Sequence, residues 1–408
     1  MMKAVLVIAD GLGGRITDYN GKTCLEAADT PNLDYLAKIG INGLLDPIEH
    51  GVRPGSDTAH LSIFGYDPKE VYTGRGVFEA LGIGMDVRDG DICFRANLAT
   101  VDDELRVIDR RAGRINEGLD EIEKAINSVE VDDAEIIYKS SVEHRGALII
   151  RGEGLSYRIT DTDPHKTGKK VLRAKAIERA VSAEKTAAIV NEFTKKVHDV
   201  LKDLEINRKR MKEGKAPANI VLLRGASIKP DIKPLKEIYG IEGSAIAGGA
   251  LYLGIARAIG LKTIKPEGAT GRKDSNLLSK VKTALDELES RDFVFIHFKG
   301  ADSCAHDHDA DAKIEFIEKI DNAIGYLLDN IDLEDAHIAF TGDHSTPIEY
   351  GDHTADPVPL VIAGRNVIPD DVERFNERDA MKGGLHRISG RVLPVLFGYC
   401  NFLDKFGA

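Results

Sequence analysis

Carboxylate and imidazole side chains stand directly after several apolar runs of this sequence. Oxygen and nitrogen donors of this kind suit divalent cations such as Mn²⁺, Mg²⁺, Zn²⁺ and Co²⁺. Their recurrence where strands should end predicts a metal centre assembled from distant parts of the chain. The candidate ligands are Asp10, Asp302, His306, Asp343, His344 and His353.

Asp302 and His306 are four residues apart. On a helix they share one face and can bind one cation, with His353 as a third ligand. Alternatively, this acidic stretch is only the solvated first turn of a helix, where the helix dipole favours carboxylates. Similar donors after two other apolar runs favour the metal interpretation.

Asp343 and His344 follow Gly342, which allows the backbone to turn sharply and present adjacent side chains to one ion. An isolated Asp-His pair is more often a loop feature than a ligand pair. Together with Asp10, however, it predicts a second cation. Two such ions can clamp a phosphoryl group and lower the pKa of a bound nucleophile.

Ser56 is the candidate nucleophile, because it follows the turn Pro54-Gly55 and precedes an apparent helix. The alternative role is an N-cap, which is common for serine at such a position. Ala59 stands where a capping-box Glu or Gln would be, so nothing strengthens the cap interpretation. A metal ion and the positive helix end would make the serine hydroxyl able to attack phosphorus.

The elements that must position these residues are strands alternating with helical patterns. Apolar, β-branched runs such as Val5–Ala9, Ile220–Leu223 and Pro359–Ile362 predict an α/β fold with a mainly parallel sheet flanked by helices. Ligands collect at the carboxyl ends of strands in such sheets, so one sheet edge can gather the candidate residues.

The length of 408 residues predicts two domains. Residues 86–216 form short alternating strands and helices between polar, turn-rich borders, which predicts an inserted, smaller α+β domain. The core domain then consists of residues 1–85 and 217–408. Two crossings between the domains would make a hinge.

The net charge of −12 disfavours nucleic acid and anionic membranes as partners. No apolar run approaches the roughly 18 residues of a membrane-spanning helix. The four cysteines lack CxxC spacing and are too sparse for a disulfide scaffold, which favours a cytoplasmic location. The sequence does not predict an oligomeric state.

With these motifs in place, the chain resembles the cofactor-independent (2,3-bisphosphoglycerate-independent) phosphoglycerate mutases of the archaeal type, within the alkaline phosphatase superfamily. The matching segments span nearly the whole chain: Ala9-Asp10-Gly11, Gly55-Ser56-Asp57, Pro266–Gly271, Asp302–His306, Gly342–Pro347 and His353–Pro359.

The resemblance implies an alkaline-phosphatase-like core with an inserted lid. It implies one divalent ion held by Asp302, His306 and His353, and another held by Asp10, Ser56, Asp343 and His344. Mn²⁺ is the preferred ion, ahead of Mg²⁺, Co²⁺ and Zn²⁺. The implied reaction interconverts 3-phosphoglycerate and 2-phosphoglycerate, in glycolysis and gluconeogenesis, through a phosphoserine on Ser56.

The insert carries polar residues that could hold the carboxylate and phosphate of such a substrate, because arginine is suited to bidentate contacts with both groups. The alternative for each of them is an ordinary surface ion pair. The candidates are Arg95, Arg111, Arg114, His144, Arg145, Asp163, His165 and Lys166.

Two related enzymes remain as alternatives, a metal-dependent phosphomonoesterase and a phosphopentomutase of the same superfamily. In the first, water would replace the sugar acid as acceptor. A non-enzymatic alternative is a divalent-metal-binding protein. Ser56 argues against it, because metal storage needs no nucleophile.

Overall fold

The structure is a computed structural model that describes residues 2–407. The chain forms two compact units, which are described separately. The first unit runs to Tyr72 and resumes at Ile232, and the second is Thr73–Asp231. The predicted insert, 86–216, lies within the second unit, and its function as a lid stays a prediction.

The strands, in chain order, are β1 (Lys3–Ala9), β2 (Gly40–Asp46), β3 (Ile92–Val101), β4 (Val107–Asp109), β5 (Glu135–Ser140), β6 (Arg145–Arg151), β7 (Ile220–Ser227), β8 (Gly243–Ile246), β9 (Lys262–Ile264), β10 (Phe293–Phe298), β11 (Ala336–Gly342), β12 (Val358–Gly364) and β13 (His386–Ser389).

The α-helices are α1 (Cys24–Ala27), α2 (Pro31–Ile39), α3 (Ser56–Ile63), α4 (Pro68–Val71), α5 (Gly76–Gly82), α6 (Leu119–Asn127), α7 (Val181–Leu201), α8 (Glu205–Lys212), α9 (Leu235–Tyr239), α10 (Ala250–Ala258), α11 (Leu277–Leu288), α12 (Gly300–His306), α13 (Ala310–Asp329), α14 (Glu377–Ala380) and α15 (Val392–Tyr399). A 3₁₀ turn covers Ala112–Arg114.

The first unit contains an eight-stranded sheet in the order β13-β2-β12-β11-β1-β10-β8-β9. β1 pairs in parallel with both β10 and β11, and β8 and β9 continue the parallel arrangement. β12 is antiparallel to its neighbours β11 and β2. The expectation of an α/β fold with a mainly parallel sheet is confirmed.

The central strands are apolar and buried on both faces, as is typical of parallel strands covered by helices on both sides. Every residue from Ala4 to Ala9 is inaccessible to solvent. In β10, Val294 and Ile296 join a core that includes side chains of α2, α11 and α13. Phe293 points to the opposite face, where it packs edge-on against Phe397 of α15.

The second unit is built on an antiparallel sheet in the order β4-β3-β6-β5, with β7 paired to β3. α6 and α7 supply Ile122, Val190 and Phe193 to its core. The expectation that Ile220–Leu223 belongs to the parallel sheet is wrong, because these residues pair antiparallel with β3. An apolar run shows that a strand is buried but not which sheet it joins.

Among residues 2–407, no helix combines the length and the apolar character that crossing a lipid bilayer would require.

Candidate metal and nucleophile site

Three carboxylates enter the site from three neighbouring parallel strands. Asp10 follows β1 directly, Asp343 follows β11 directly, and Asp302 lies in the first turn of α12 after β10. Because β11, β1 and β10 are adjacent and parallel, their carboxyl ends meet at one edge of the sheet. The sheet thus brings together three side chains that are far apart in sequence.

Backbone contacts hold these strand ends in place. The Gly11 N–H donates to Asp343 Oδ1 at 3.0 Å, and the Asp302 N–H donates to the Asp10 carbonyl at 3.0 Å. Gly11 has a φ of +68°, and a Cβ atom there would stand 2.7 Å from Asp302 Cα. Glycine is therefore required here both by backbone conformation and by space.

We call Asp10, Ser56, Asp343 and His344 the serine cluster. His344 Nε2 lies 3.5 Å from Asp10 Oδ1, 3.3 Å from Asp343 Oδ2 and 3.2 Å from Ser56 Oγ. All four residues are buried, and Ser56 has the largest exposed fraction, 7%. One imidazole nitrogen thus faces two carboxylates and the candidate nucleophile.

Ser56 is the first residue of α3, and Gly55 occupies the N-cap position. The alternative assignment of Ser56 as the N-cap is therefore wrong. The Ser56 carbonyl lies 2.7 Å from Nδ1 of His60, one turn along the same helix. The Ser56 hydroxyl is directed at His344 and lies at the positive end of the helix dipole.

We call Asp302, His306 and His353 the histidine cluster. Asp302 Oδ1 lies 3.3 Å from His306 Nε2 and 3.6 Å from His353 Nε2. The His353 ring also stacks on the His344 ring, with centroids 3.5 Å apart. The two clusters are thus contiguous, and the structure brings together all seven residues predicted as ligands.

The donor set fits divalent cations. His306 Nδ1 lies 2.7 Å from the Gly351 carbonyl and His353 Nδ1 lies 2.9 Å from the Pro54 carbonyl, contacts that require the proton on Nδ1. In each ring Nε2 is then the nitrogen that is left to bind a cation, and it faces the carboxylate of Asp302. Asp343 Oδ2 is buried and accepts no hydrogen bond within the described chain. Two imidazole nitrogens that face one carboxylate, together with a carboxylate oxygen that accepts no hydrogen bond, form an arrangement that a cation can complete.

The charges of the pocket support the same conclusion. Burial and the neighbouring Asp10 raise the pKa of Asp343 well above its ordinary value. Burial would also raise the pKa of Asp10 and of Asp302, but the Lys299 ammonium holds both well below their usual range. Lys299 thus stabilises two of the three carboxylates in their charged form, and a cation bound beside Asp343 would do the same for the third.

Sequence reasoning missed the side chains that surround Asp10. The Tyr252 hydroxyl donates to Asp10 Oδ2, and His297 Nε2 lies 3.2 Å from the same oxygen. The rings of Tyr252 and His297 stack with centroids 3.5 Å apart. His297 could have been recognised as a site residue, because it is a histidine within the apolar run Phe293–Phe298. Nothing in the sequence indicated a role for Tyr252.

Asp352 was also missed. It lies near His306 and His353, with potential ligand atoms of the three residues within 4.8 Å of one another. Its carboxylate forms an ion pair with Arg53, so its charge is already matched by a protein cation.

The second unit contains a separate cluster of arginines. Arg95 on β3 lies directly opposite Arg224 on β7, an arrangement of like charges that destabilises a sheet on its own. Glu79 on α5 supplies a carboxylate to this cluster, 2.9 Å from Arg75 and 3.6 Å from Arg95. Burial lowers the pKa of Arg95 to about 9 although the Glu79 carboxylate opposes this shift.

The predicted substrate residues have different positions in this unit. Arg145 lies on β6 beside β3. Burial is the main reason that the pKa of the neighbouring His144 is lowered, and the charges of Arg145 and Arg95 lower it further. Asp163 places both carboxylate oxygens on Arg110, at 3.1 and 2.6 Å. The remaining candidates are exposed: Arg111, Arg114, His165 and Lys166.

The chain is similar to known protein families over both parts of this site. A family model described as 2,3-bisphosphoglycerate-independent phosphoglycerate mutase matches residues 37–207. A second model, described as type I phosphodiesterase / nucleotide pyrophosphatase, matches residues 257–360. The two matches include α3 with Ser56 and the stretch that contains β10, α12 and β11.

Curated relatives match along the whole chain. The chain is 48% identical to 2,3-bisphosphoglycerate-independent phosphoglycerate mutase 1 of Methanocaldococcus jannaschii, covering 100% of this chain and 99% of the relative. It is 49% identical to the 2,3-bisphosphoglycerate-independent phosphoglycerate mutase of Pyrococcus abyssi, with 100% and 99% covered.

Solved structures show the same fold. A protein of Pyrococcus horikoshii matches with a TM-score of 0.87 at 42% identity, covering 100% of this chain and 99% of that one. A cofactor-independent phosphoglycerate mutase of Thermoplasma acidophilum matches with a TM-score of 0.71 at 35% identity, covering 98% and 100%.

Proposed function

The chain belongs to the family of 2,3-bisphosphoglycerate-independent phosphoglycerate mutases, and we propose that it interconverts 3-phosphoglycerate and 2-phosphoglycerate through a phosphoserine on Ser56. The observation that carries the proposal is the position of the Ser56 hydroxyl. It lies at the start of a helix and 3.2 Å from His344 Nε2, inside a pocket of three carboxylates.

Two divalent cations, when bound, would supply the positive charge that stabilises a transferring phosphoryl group and favours ionisation of the serine hydroxyl. We assign one to Asp302, His306 and His353. We assign the other to the serine cluster. We propose Mn²⁺ as the ion, because the family resemblance favours it and carboxylate ligands, which both clusters contain, suit it.

The residues of the chain then have distinct tasks. Ser56 accepts the phosphoryl group, with loss of its hydroxyl proton, and the released glycerate oxygen gains a proton. After the glycerate reorients, its other hydroxyl attacks the phosphoserine, loses its proton, and the Ser56 hydroxyl is restored. Neither water nor a second phosphate is consumed, so the exchange balances within one substrate molecule.

We propose that the arginine cluster of the second unit binds the anionic groups of the substrate. Glu79 forms ion pairs with Arg75 and Arg95 and interacts electrostatically with Arg145 and Arg224, so four guanidinium groups surround this one carboxylate. Arginine pairs well with carboxylate and phosphate. Asp163 is better suited to orienting Arg110 than to contacting an anion, because both of its oxygens accept from that guanidinium.

We also propose a cytoplasmic location. All four cysteines are buried free thiols, as suits a reducing compartment.

An enolase-coupled assay tests the proposed reaction. Mn²⁺-loaded protein is supplied with 3-phosphoglycerate, without 2,3-bisphosphoglycerate, and 2-phosphoglycerate formation is followed through phosphoenolpyruvate. We expect turnover and no stoichiometric release of inorganic phosphate. Release of phosphate without 2-phosphoglycerate would instead establish the phosphomonoesterase alternative. Turnover of a pentose phosphate alone would establish the phosphopentomutase.

A further inference from the structure

We propose that Lys299 is a positioning residue that joins the two metal-binding clusters and orients one carboxylate of each. The inference rests on the proposed function, because it concerns the geometry of the same site. Lys299 precedes α12, and its ammonium lies 2.8 Å from Asp302 Oδ2. It also lies 3.3 Å from Asp10 Oδ1 and 3.2 Å from Asp10 Oδ2. A single side chain thus contacts the histidine cluster and the serine cluster.

The two oxygens of each carboxylate have different surroundings. Asp302 Oδ1 faces His306 and His353 and accepts from the Thr346 hydroxyl, whereas Asp302 Oδ2 accepts from Lys299. Asp10 Oδ1 faces His344 and also accepts from Lys299, whereas Asp10 Oδ2 accepts from both Lys299 and Tyr252. Lys299 thus helps to hold each carboxylate with its Oδ1 directed at its cluster. Partners of this kind fix the orientation of metal-binding groups.

A surface ion pair is a poor explanation for Lys299. The side chains of Asp10 and Asp302 are 0% and 5% exposed, and that of Lys299 is 27% exposed. Ion pairs between flexible surface side chains contribute little to stability. Here, removal of the amine would leave two buried carboxylates without their cationic partner, which is costly.

Two other buried lysines of the same unit serve as a comparison. Lys280 donates to the His297 carbonyl at 2.9 Å, and Lys313 donates to the carbonyls of Gly13 and Thr346 at 2.9 and 3.0 Å. Both stabilise the backbone. Lys299 differs because its acceptors are the candidate metal ligands themselves.

The chemistry of the ammonium group suits this task. It has three donors around a compact charge and can reach carboxylates in different directions, whereas arginine presents a planar fork. Arginine at this position should therefore not restore the geometry, although it retains the charge. This distinguishes positioning from mere neutralisation of the pocket.

The test uses Lys299→Met in the full-length protein loaded with Mn²⁺. We expect the variant to retain two ions by elemental analysis but to show an altered exchange-coupled signal of the manganese pair in electron paramagnetic resonance. We expect kcat to fall roughly 10- to 100-fold while KM for 3-phosphoglycerate stays within about threefold. Lys299→Arg should share both defects.

Lys319→Met is the matched control, because Lys319 pairs with a single exposed carboxylate, Glu315, on α13. It should resemble the wild type in all readouts. If Lys299→Met does not fold, Lys299→Gln replaces it, with the same expectations. A manganese signal and a kcat equal to those of the wild type in the folded variant would overturn the inference. Failure of the wild-type protein to bind two ions or to turn over would instead overturn the proposed function.

Discussion

The hydroxyl of Ser56 and the imidazole of His344 lie 3.2 Å apart, although 288 residues separate them in the chain. Ser56 begins α3, and His344 follows β11, so two independent elements define this distance. The relationship places a potential nucleophile against a ligand of the predicted metal centre, and the first prediction follows from it.

Replacing Ser56 with alanine should abolish turnover, whereas the fold and at least one bound metal ion should be retained. We expect kcat to fall by about a thousandfold or more, because the group that accepts the phosphoryl is lost. Manganese content should remain two ions or fall to one. Mass spectrometry of wild-type protein quenched during turnover should find the phosphate on Ser56. The exposed Ser290 serves as control, and Ser290→Ala should be fully active. Retained activity of Ser56→Ala would exclude the phosphoserine.

His306 and His308 offer a matched pair of tests. We expect His306→Asn to lower Mn²⁺ affinity by at least about 100-fold, because the Nε2 that faces Asp302 is removed. His308 Nδ1 bonds to the Ile348 carbonyl, and its φ is +57°, a conformation that asparagine accepts. His308→Asn should therefore bind Mn²⁺ normally. Isothermal titration calorimetry of both variants measures the difference, and equal affinities would contradict the ligand assignment.

Arg95→Gln should weaken substrate binding without affecting the metals. Loss of a charge-assisted contact costs about 1.5–3 kcal/mol, which corresponds to a rise in KM of roughly 10- to 100-fold. Manganese content should stay at the wild-type value. Arg158→Gln is the control, because Arg158 is 49% exposed and pairs with Glu178. An unchanged KM for Arg95→Gln would exclude this cluster from the substrate site.

Gly11→Ala should destabilise the first unit and weaken metal binding together. The new methyl group would meet Asp302 Cα at 2.7 Å, in addition to the strain of a positive φ. Gly21→Ala separates the two effects, because Gly21 has a φ of +83° with nothing within 4 Å of the added carbon. The control should cost about 1 kcal/mol of stability and no metal affinity. Chemical denaturation and metal titration measure both. If Gly11→Ala lost no more stability than Gly21→Ala and kept its metal affinity, the close approach of Gly11 to Asp302 would be unimportant.

The stability of the first unit should depend on pH through Asp46. Burial would raise the pKa of this carboxyl, but hydrogen bonds from Arg387 outweigh burial and hold the pKa below the ordinary value of 3.8. A lowered folded-state pKa means that the bond stabilises above the ordinary pKa and is lost as pH falls through the folded-state pKa.

Asp46→Asn should therefore lower the free energy of unfolding by about 1–3 kcal/mol at pH 7, and the difference from wild type should shrink toward pH 3. Urea titrations over this range measure the effect. The exposed Asp371→Asn is the control and should change little at either pH. A difference between Asp46→Asn and wild type that is constant with pH would contradict the assigned sign.

Whether a site residue could be predicted from the sequence depended on the local pattern around it. Asp10, Asp302 and Asp343 were predictable because each follows a continuous apolar run, and the carboxyl ends of parallel strands share one edge of the sheet. Ser56 was predictable as a helix start, although Gly55 takes the capping position. Ile220–Leu223 was placed in the wrong sheet, because local apolar character does not encode the pairing partner.

The sequence by itself determined the α/β class and the set of residues that could bind metal and carry a phosphoryl group, since both follow from local pattern and side-chain chemistry. Only the tertiary structure decided which oxygen of each carboxylate faces which imidazole, and that Lys299 contacts both clusters. It also decided that Tyr252 and His297 stack beside Asp10, and that Arg224 lies opposite Arg95. These relationships depend on strand order and register, which arise from long-range pairing and carry no signature in the neighbouring residues.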